Sequence, residues 1–221
     1  MARKQHVVVI GLGRFGTAVA RELTRLGHTV LGIDRDEKLV AALAEEVTHV
    51  VQTDATSGEA LRDLGLGEYD AAIVAISSNL EASILTTVLL KRLGVKRIVA
   101  KAANDLHGSI LEQVGATRVV YPELETGLRV AHSFNAPGVR DYLDVAPGYG
   151  FARMRVPAEW AGKALAQIDL RRTCGVTAMA LHRQGVVTLN PHPSEVLQRG
   201  DELIVAGLDE DLERLPSADQ R

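Results

Sequence analysis

Residues 7–36 read VVVIGLGRFGTAVARELTRLGHTVLGIDRD, and no other stretch limits the fold as tightly. The β-branched run Val7–Ile10 leads straight into Gly11-Leu12-Gly13-Arg14-Phe15-Gly16. A helical pattern over Phe15–Leu26 follows, Gly27 stops it, and a second apolar run, Thr29–Ile33, ends at Asp34. A glycine loop between a buried strand and a helix, with an acid at the end of the next strand, is the opening βαβ unit of a dinucleotide-binding sheet. Each glycine has a separate task. Gly11 permits the tight turn, Gly13 lets the backbone approach a pyrophosphate, and Gly16 lets helix and sheet pack closely. The helix N-terminus then presents N–H groups and partial positive charge to phosphate. Asp34 is placed to accept hydrogen bonds from ribose hydroxyls and to repel a 2′-phosphate. That favours NAD(H) or an adenine nucleotide over NADP(H), with Arg35 next door working against the preference.

The strand–helix rhythm continues. Thr48–Val51, Ala71–Ile76, Arg97–Ala100 and Arg118–Tyr121 read as further buried strands. Glu37–Glu45, Ser57–Leu64, Leu80–Leu93 and Leu106–Val114 have helical spacing, with Gly65, Gly94 and Gly115 as C-terminal stops. Continuous apolar strands alternating with helices specify a parallel sheet covered on both faces. The expected class is α/β, a doubly wound parallel-sheet Rossmann domain ending near Tyr121, followed by a helix over Leu124–Phe134. Turn formers then cluster at Asn135–Gly138 and Ala146–Gly148. Beyond them lie an alternating Phe151–Val156, a helix near Gly162–Gln167, strands at Val176–His182, Val186–Leu189 and Glu202–Ala206, and a closing helix, Asp209–Leu215. The expected boundaries are 1–134 for the nucleotide-binding domain with its last helix, 135–148 for a connector, and 149–216 for a small α+β lobe.

Bulk properties narrow the function. Apolar residues make up 46% and aromatics 4%, which suits an aliphatic α/β core better than a base-stacking surface. A formal net charge of −3 argues against broad DNA binding. The single cysteine, Cys174, excludes an internal disulfide framework and fits a cytoplasmic chain. No run approaches the ~20 apolar residues of a transmembrane helix, so a membrane role is expected to come through a partner.

Other candidates sit at the carboxyl ends of the expected strands, where doubly wound sheets bind ligands. Asp54-Ala55-Thr56 follows the third strand, and its small residue leaves room for an aromatic base. Ser77-Ser78-Asn79 follows the fourth strand and Lys101 the fifth. Taken singly, each is as well explained as a loop or cap residue. A catalytic apparatus is harder to find. No Tyr-x-x-x-Lys pair exists, the seven histidines are scattered, and no Cys/His set has zinc spacing. The residues describe a nucleotide site without evident chemistry.

Across nearly its whole length the chain resembles the cytosolic RCK (regulator of potassium conductance) subunits of KtrA and TrkA type. Val9-Ile10-Gly11-Leu12-Gly13-Arg14-Phe15-Gly16, Thr53-Asp54-Ala55-Thr56, Ala75-Ile76-Ser77-Ser78-Asn79, Leu85–Lys91 and Pro122-Glu123 carry the resemblance in the first part. Trp160–Lys163, Asp169–Arg172, Asn190-Pro191 and Arg199–Leu203 carry it in the second.

The resemblance implies a gating ring, in which homodimers assemble into an octamer under a membrane potassium-translocating subunit of KtrB/TrkH type. It implies a regulator that is not an enzyme and binds no nucleic acid. It would lie in the cytoplasm, peripheral to the inner face of the membrane. ATP and ADP, or NADH and NAD in the TrkA branch, would bind the N-terminal cleft. The contacts implied there are Gly11, Gly13, Arg14, Phe15, Gly16, Asp34 and Arg35, joined by Asp54, Ala55, Thr56, Ile76 and Lys101. Arg14 would read the terminal phosphate, and Glu123 would help hold a divalent cation, Mg²⁺ or Ca²⁺. A C-lobe site for cyclic di-AMP would use Ile168, Asp169, Arg172 and Pro191. A small NAD-dependent oxidoreductase remains the enzymatic alternative. A redox-sensing transcription regulator lacks a helix-turn-helix segment and a basic patch.

Overall fold

The computed structural model describes residues 4–136 and 138–217. The chain divides into two units, Met1–Pro122 and Glu123–Arg221. In the first, β-branched runs form β1 (His6–Ile10), β2 (Thr29–Asp34), β3 (His49–Gln52), β4 (Ala71–Val74), β5 (Arg97–Lys101) and β6 (Arg118–Val120). All pair in parallel, in the order β3-β2-β1-β4-β5-β6. Helices α1 (Arg14–Arg25), α2 (Glu37–Leu43), α3 (Gly58–Asp63), α4 (Leu80–Arg92) and α5 (Asp105–Val114) cover it. Successive side chains of a strand point to opposite faces, so two cores result. Val8, Ile10, Ile33, Val74 and Ile98 pack with Leu61, Leu90 and Leu111 on one side. Val9 and Val30 pack with Leu12, Ala20 and Leu43 on the other. The strand order reverses direction between β1 and β4, and such a switch point opens a crevice at the carboxyl ends.

The starts of these helices differ in one respect. Asp36, Ser57, Asn79 and Asn104 cap α2 to α5, accepting from the N–H groups of Lys38, Ala60, Ala82 and His107. Helix α1 begins at Gly13 with no side-chain cap. Its first turn therefore keeps the N–H groups that lack intrahelical partners, and they open onto the switch point.

Helix α6 (Pro122–Asn135) starts on the last residue of the first unit, a proline, which costs a first-turn residue no hydrogen bond, and continues in the second unit. Then come β7 (Val139–Ala146), β8 (Tyr149–Arg155), α7 (Leu165–Ile168), α8 (Leu170–Cys174), β9 (Thr177–Arg183), β10 (Val186–Leu189), β11 (Glu202–Leu208) and α9 (Asp209–Glu213). The sheet is antiparallel in the order β10-β9-β11-β8-β7. Its inner face buries Ala152, Met154, Leu181, Leu203 and Val205 against Trp160, Leu165, Leu170 and Leu197.

The segment expected as a connector, 135–148, instead contains β7. Its turn formers bracket a strand: Gly148 (φ 79°) makes the β7–β8 hairpin, and Val139 and Tyr142 are buried between the ends. Arg140, Asp141 and Asp144, all exposed, dilute the apolar alternation of this edge strand and hide it in the sequence.

Candidate functional site

A cleft of about 550 Å³ opens at the carboxyl ends of β1, β2, β3 and β4. Gly11 sits there at φ 93°, in the left-handed region that glycine alone adopts without strain. A Cβ on Gly11 would stand 3.0 Å from the Ala75 carbonyl carbon. At Gly13 a Cβ would meet nothing within 4 Å, so its surroundings are open. The loop is anchored by Asp34, whose Oδ2 accepts the Leu12 N–H at 2.7 Å and whose Oδ1 accepts the Asp36 N–H at 2.9 Å. A carboxylate oxygen has more than one acceptor direction, so both retain capacity for a ribose hydroxyl.

Across the cleft, Asp54 Oδ1 accepts from the Thr56 N–H at 2.9 Å and the Thr56 hydroxyl at 2.8 Å. These two bonds, with the nearby charge of Arg35, hold the Asp54 carboxyl below the ordinary range despite a small desolvation cost. The buried Thr86 hydroxyl donates to the Ala55 carbonyl at 3.1 Å and pins this loop to α4. The result is a rigid small-residue shelf opposite the glycine loop.

Of the residues singled out from the sequence, Gly11, Gly13, Asp34, Arg35, Asp54, Ala55, Thr56 and Ile76 line the cleft together. Arg14, Phe15, Gly16 and Lys101 are outside its lining. Gly16 is buried beneath the loop, and Arg14 is exposed at the start of α1. Lys101 is 6% exposed, with its ammonium 5.7 Å from the centre of the Phe15 ring. Glu123 lies on α6, in the other unit. Leu39 and Glu81 also line the cleft and went unread in the sequence, and Leu85, singled out there only within the stretch Leu85–Lys91, was not read as a cleft residue. Their signal was weak: Leu85 is a half-exposed leucine on a helix whose other face is buried. The lining carries Asp34, Asp36, Asp54 and Glu81 against Arg35 alone. The lining is therefore acidic on balance, with Arg35 its one cation and Arg14 exposed beside it at the start of α1.

In the second unit, Ile168 is buried and lines a cavity of about 270 Å³ with Trp160, Lys163, Thr173 and Cys174. Asp169 (φ 50°) pairs with Arg172 at 3.2 Å on the surface. Arg172 and Pro191 are not in that cavity's lining. Among the described residues no group of three or more His, Cys, Asp or Glu is arranged to hold a metal ion, and no helix is long and apolar enough to cross a membrane.

The double duty of Asp34 yields a measurable outcome. Asp34→Asn keeps size but replaces one acceptor by an amide that faces an N–H. We expect about 1–3 kcal/mol of lost stability in ligand-free protein, read by thermal melting. A nucleotide whose ribose hydroxyls bound this carboxylate would be weakened about tenfold or more, since 1.4 kcal/mol is tenfold in affinity. An unaltered melt would remove Asp34 from the loop's support.

Comparison with known proteins decides the family. The chain matches the TrkA-N domain over residues 7–122 and the TrkA-C domain over residues 151–217. This chain belongs to the TrkA-type RCK family. The RCK chain is 35% identical over 212 residues to Ktr system potassium uptake protein A of Bacillus subtilis (strain 168), covering 96% of each chain. It is 38% identical over 211 residues to Ktr system potassium uptake protein C of the same organism, again covering 96% of each. Its fold is that of the GsuK channel bound to NAD (TM-score 0.64, 20% identity, 95% of this chain, 38% of that one). GsuK bound to ADP is similar over 62% of this chain and 35% of that one (TM-score 0.50, 17% identity). The RCK chain thus spans well under half of those longer channel chains.

Proposed function

We propose that this RCK chain is the nucleotide-binding regulatory subunit of a potassium-uptake system and performs no chemistry on its ligand. One observation carries the reading: the only helix of α1 to α5 without a side-chain cap begins at the open Gly13, inside the cleft. That arrangement fits a phosphate chain at the helix start, a ribose at Asp34 and an adenine on the Asp54–Thr56 shelf. The relatives named for potassium uptake supply the process, and GsuK, titled as bound to NAD or to ADP, supports the adenine-nucleotide class. ATP and ADP are the physiological pair in this reading, and NADH and NAD the alternative.

Regulation needs only unequal affinity. A ligand shifts a two-state assembly by the difference between its binding free energies to the two states, and a tenfold ratio per site is ~1.4 kcal/mol. Homodimers closed into an octameric ring would multiply that difference by the number of coupled sites. The ring would dock on a membrane subunit of KtrB/TrkH type and stay on the cytoplasmic side. Arg14, exposed at the first position of α1 and in no ion pair among the described residues, is the proposed reader of a terminal phosphate. Glu123 would meet the nucleotide's divalent cation, Mg²⁺ or Ca²⁺, only with ligands from the nucleotide or a second subunit. Ile168, Asp169, Arg172 and Pro191 would be the C-terminal contacts for cyclic di-AMP.

Calorimetric titration with ATP, ADP and NADH, with and without Mg²⁺, tests the reading. Arg14→Ala is expected to weaken ATP about tenfold more than ADP, the scale of one charge-assisted contact. Equal losses for the two nucleotides would remove Arg14 as a phosphate reader. Turnover of NADH with any small carbonyl substrate would return the enzymatic alternative.

A further inference from the structure

The loop after β3 is held in three ways. The Thr53 N–H donates to the Asp34 carbonyl at 3.0 Å and ties the loop to β2. Asp54 closes the loop on itself, accepting from Thr56 at its carboxylate and from the Ser57 N–H at its carbonyl. The third tie is the Thr86 hydroxyl on the Ala55 carbonyl. Among the described residues it is the loop's only hydrogen bond to α4.

That bond departs from what a helix threonine usually makes. Inside a helix the hydroxyl turns back onto the carbonyl one turn earlier, as Thr87 does on Ser83 at 2.8 Å. Thr86, fully buried, instead reaches a residue 31 positions away. A valine would fill the same space with no hydroxyl to take out of water, so burial of this face alone does not call for threonine. What the hydroxyl adds is position.

Position matters because α4 supplies a second wall of the same slot. Ala82 and Leu85 of this helix line the cleft together with Asp54, Ala55 and Thr56, while Thr86 lies outside the lining. Leu85 directly precedes Thr86, so the bond to Ala55 fixes how far the loop stands from the wall. A flat base between two walls keeps its dispersion contacts only at about 3.5–4 Å from each. Widening the slot by about 0.5–1 Å forfeits roughly a quarter to a half of every such contact on one side.

We infer that Thr86 is a positioning residue for the base end of the cleft. Without touching the ligand, its hydroxyl sets the gap between the Ala55 shelf and α4, and with it the affinity for adenine. This role rests on the nucleotide reading above. Its consequence is a loss common to every adenosine ligand, unlike the unequal loss expected from Arg14→Ala.

Calorimetric titration of the full chain with ATP, ADP and NADH tests it. Thr86→Val should bind all three about fivefold more weakly, the scale of one neutral hydrogen bond, and Thr86→Ser, which restores the hydroxyl, should stay within about twofold of wild type. Thr87→Val removes a buried hydroxyl that has no tie to the loop and should leave all three affinities unchanged. A purely structural Thr86 would lower the melting temperature and leave the affinities alone. Normal binding by Thr86→Val, an equal loss in Thr87→Val, or a Thr86→Ser protein as weak as Thr86→Val overturns the inference. If Thr86→Val does not fold, Thr86→Cys, whose thiol is a weak donor, is expected to weaken all three nucleotides, and normal binding there overturns it equally. A wild-type chain that binds none of the three overturns the nucleotide reading itself, and the role of Thr86 with it, before any variant is made.

Discussion

Arg183→Met is expected to lower the stability of the C-terminal unit by about 3 kcal/mol, the lower end of the range for breaking a buried ion pair. Asp201 is 2% exposed, and Arg183 holds it with two bonds, Nε to Oδ1 at 2.9 Å and Nη2 to Oδ2 at 2.7 Å. The same guanidinium donates to Glu195 at 3.0 Å and to the Val196 carbonyl at 2.9 Å. Methionine matches the aliphatic stem but leaves Asp201 charged and enclosed. Glu195 can turn to solvent, and the part-exposed Arg183 was partly screened, which keeps the loss from reaching the upper end. Trp160, the sole tryptophan, lies in this unit's core, so urea denaturation followed by its emission reports this unit.

The pH dependence gives the same prediction a second edge. Burial pushes the Asp201 carboxyl up, but the Arg183 bond, the Gln198 N–H and the Arg183 charge together outweigh it and hold it below the ordinary range. A carboxyl depressed by folding stabilises above its unfolded pKa, about 3.9, and that contribution is lost as pH falls through the lower folded value. In Arg183→Met only burial and the Gln198 N–H remain, so Asp201 takes up its proton at higher pH than in wild type. The gap between the two proteins should therefore shrink on acidification. Adding Asp201→Asn, which can still accept from Gln198, should recover part of the loss. A constant gap at all pH values would mean that Asp201 is not the residue left uncompensated.

How far the sequence could be read depended on whether a residue's role was local. Buried parallel strands show as β-branched runs, so β1 to β6 and their helices were legible, with shifts only at element ends. Strand β7 was not, because an edge strand with one buried face carries Arg140, Asp141 and Asp144 among its apolar residues, and its flanking turn formers mark a loop more strongly. The cleft divides the same way. Gly11, Gly13, Asp34 and Asp54 lie at fixed offsets from strand ends, and the sheet brings them together. Nothing in the order of residues announces that Leu12 hangs on the Asp34 carboxylate, or that Thr86 holds the Ala55 carbonyl. Those bonds span 22 and 31 residues and depend on how α4 and the loops pack. Lys101 shows the converse. Its place at the end of β5 suggested the cleft, yet the side chain turns onto Phe15.

Two alanines in the glycine loop should separate folding from binding. At Gly16 a Cβ would land on the Gly11 carbonyl oxygen and stand 3.0 Å from its carbon, with the Ala75 Cβ at 3.2 Å. The obstacle is backbone, which cannot swing aside as a side chain can, so α1 must lift from β1 or the loop must open. Gly16→Ala is expected to cost about 3 kcal/mol or more, the top of the overpacking range. That is a melting shift of roughly 10 °C in the N-terminal unit's own transition. Trp160 emission should hold its wild-type midpoint. Gly13→Ala meets nothing within 4 Å, and its φ of −64° and ψ of −172° suit any L-residue. Its melt should stay within about 0.5 kcal/mol of wild type. Its nucleotide affinity should nonetheless fall about a hundredfold if the methyl fills the space through which a pyrophosphate approaches the backbone. A Gly13→Ala protein that binds ATP, ADP and NADH normally would place the phosphates away from this loop. A Gly16→Ala protein that melts normally would mean that α1 can be displaced without loss, and the tight strand–helix contact would no longer explain the third glycine.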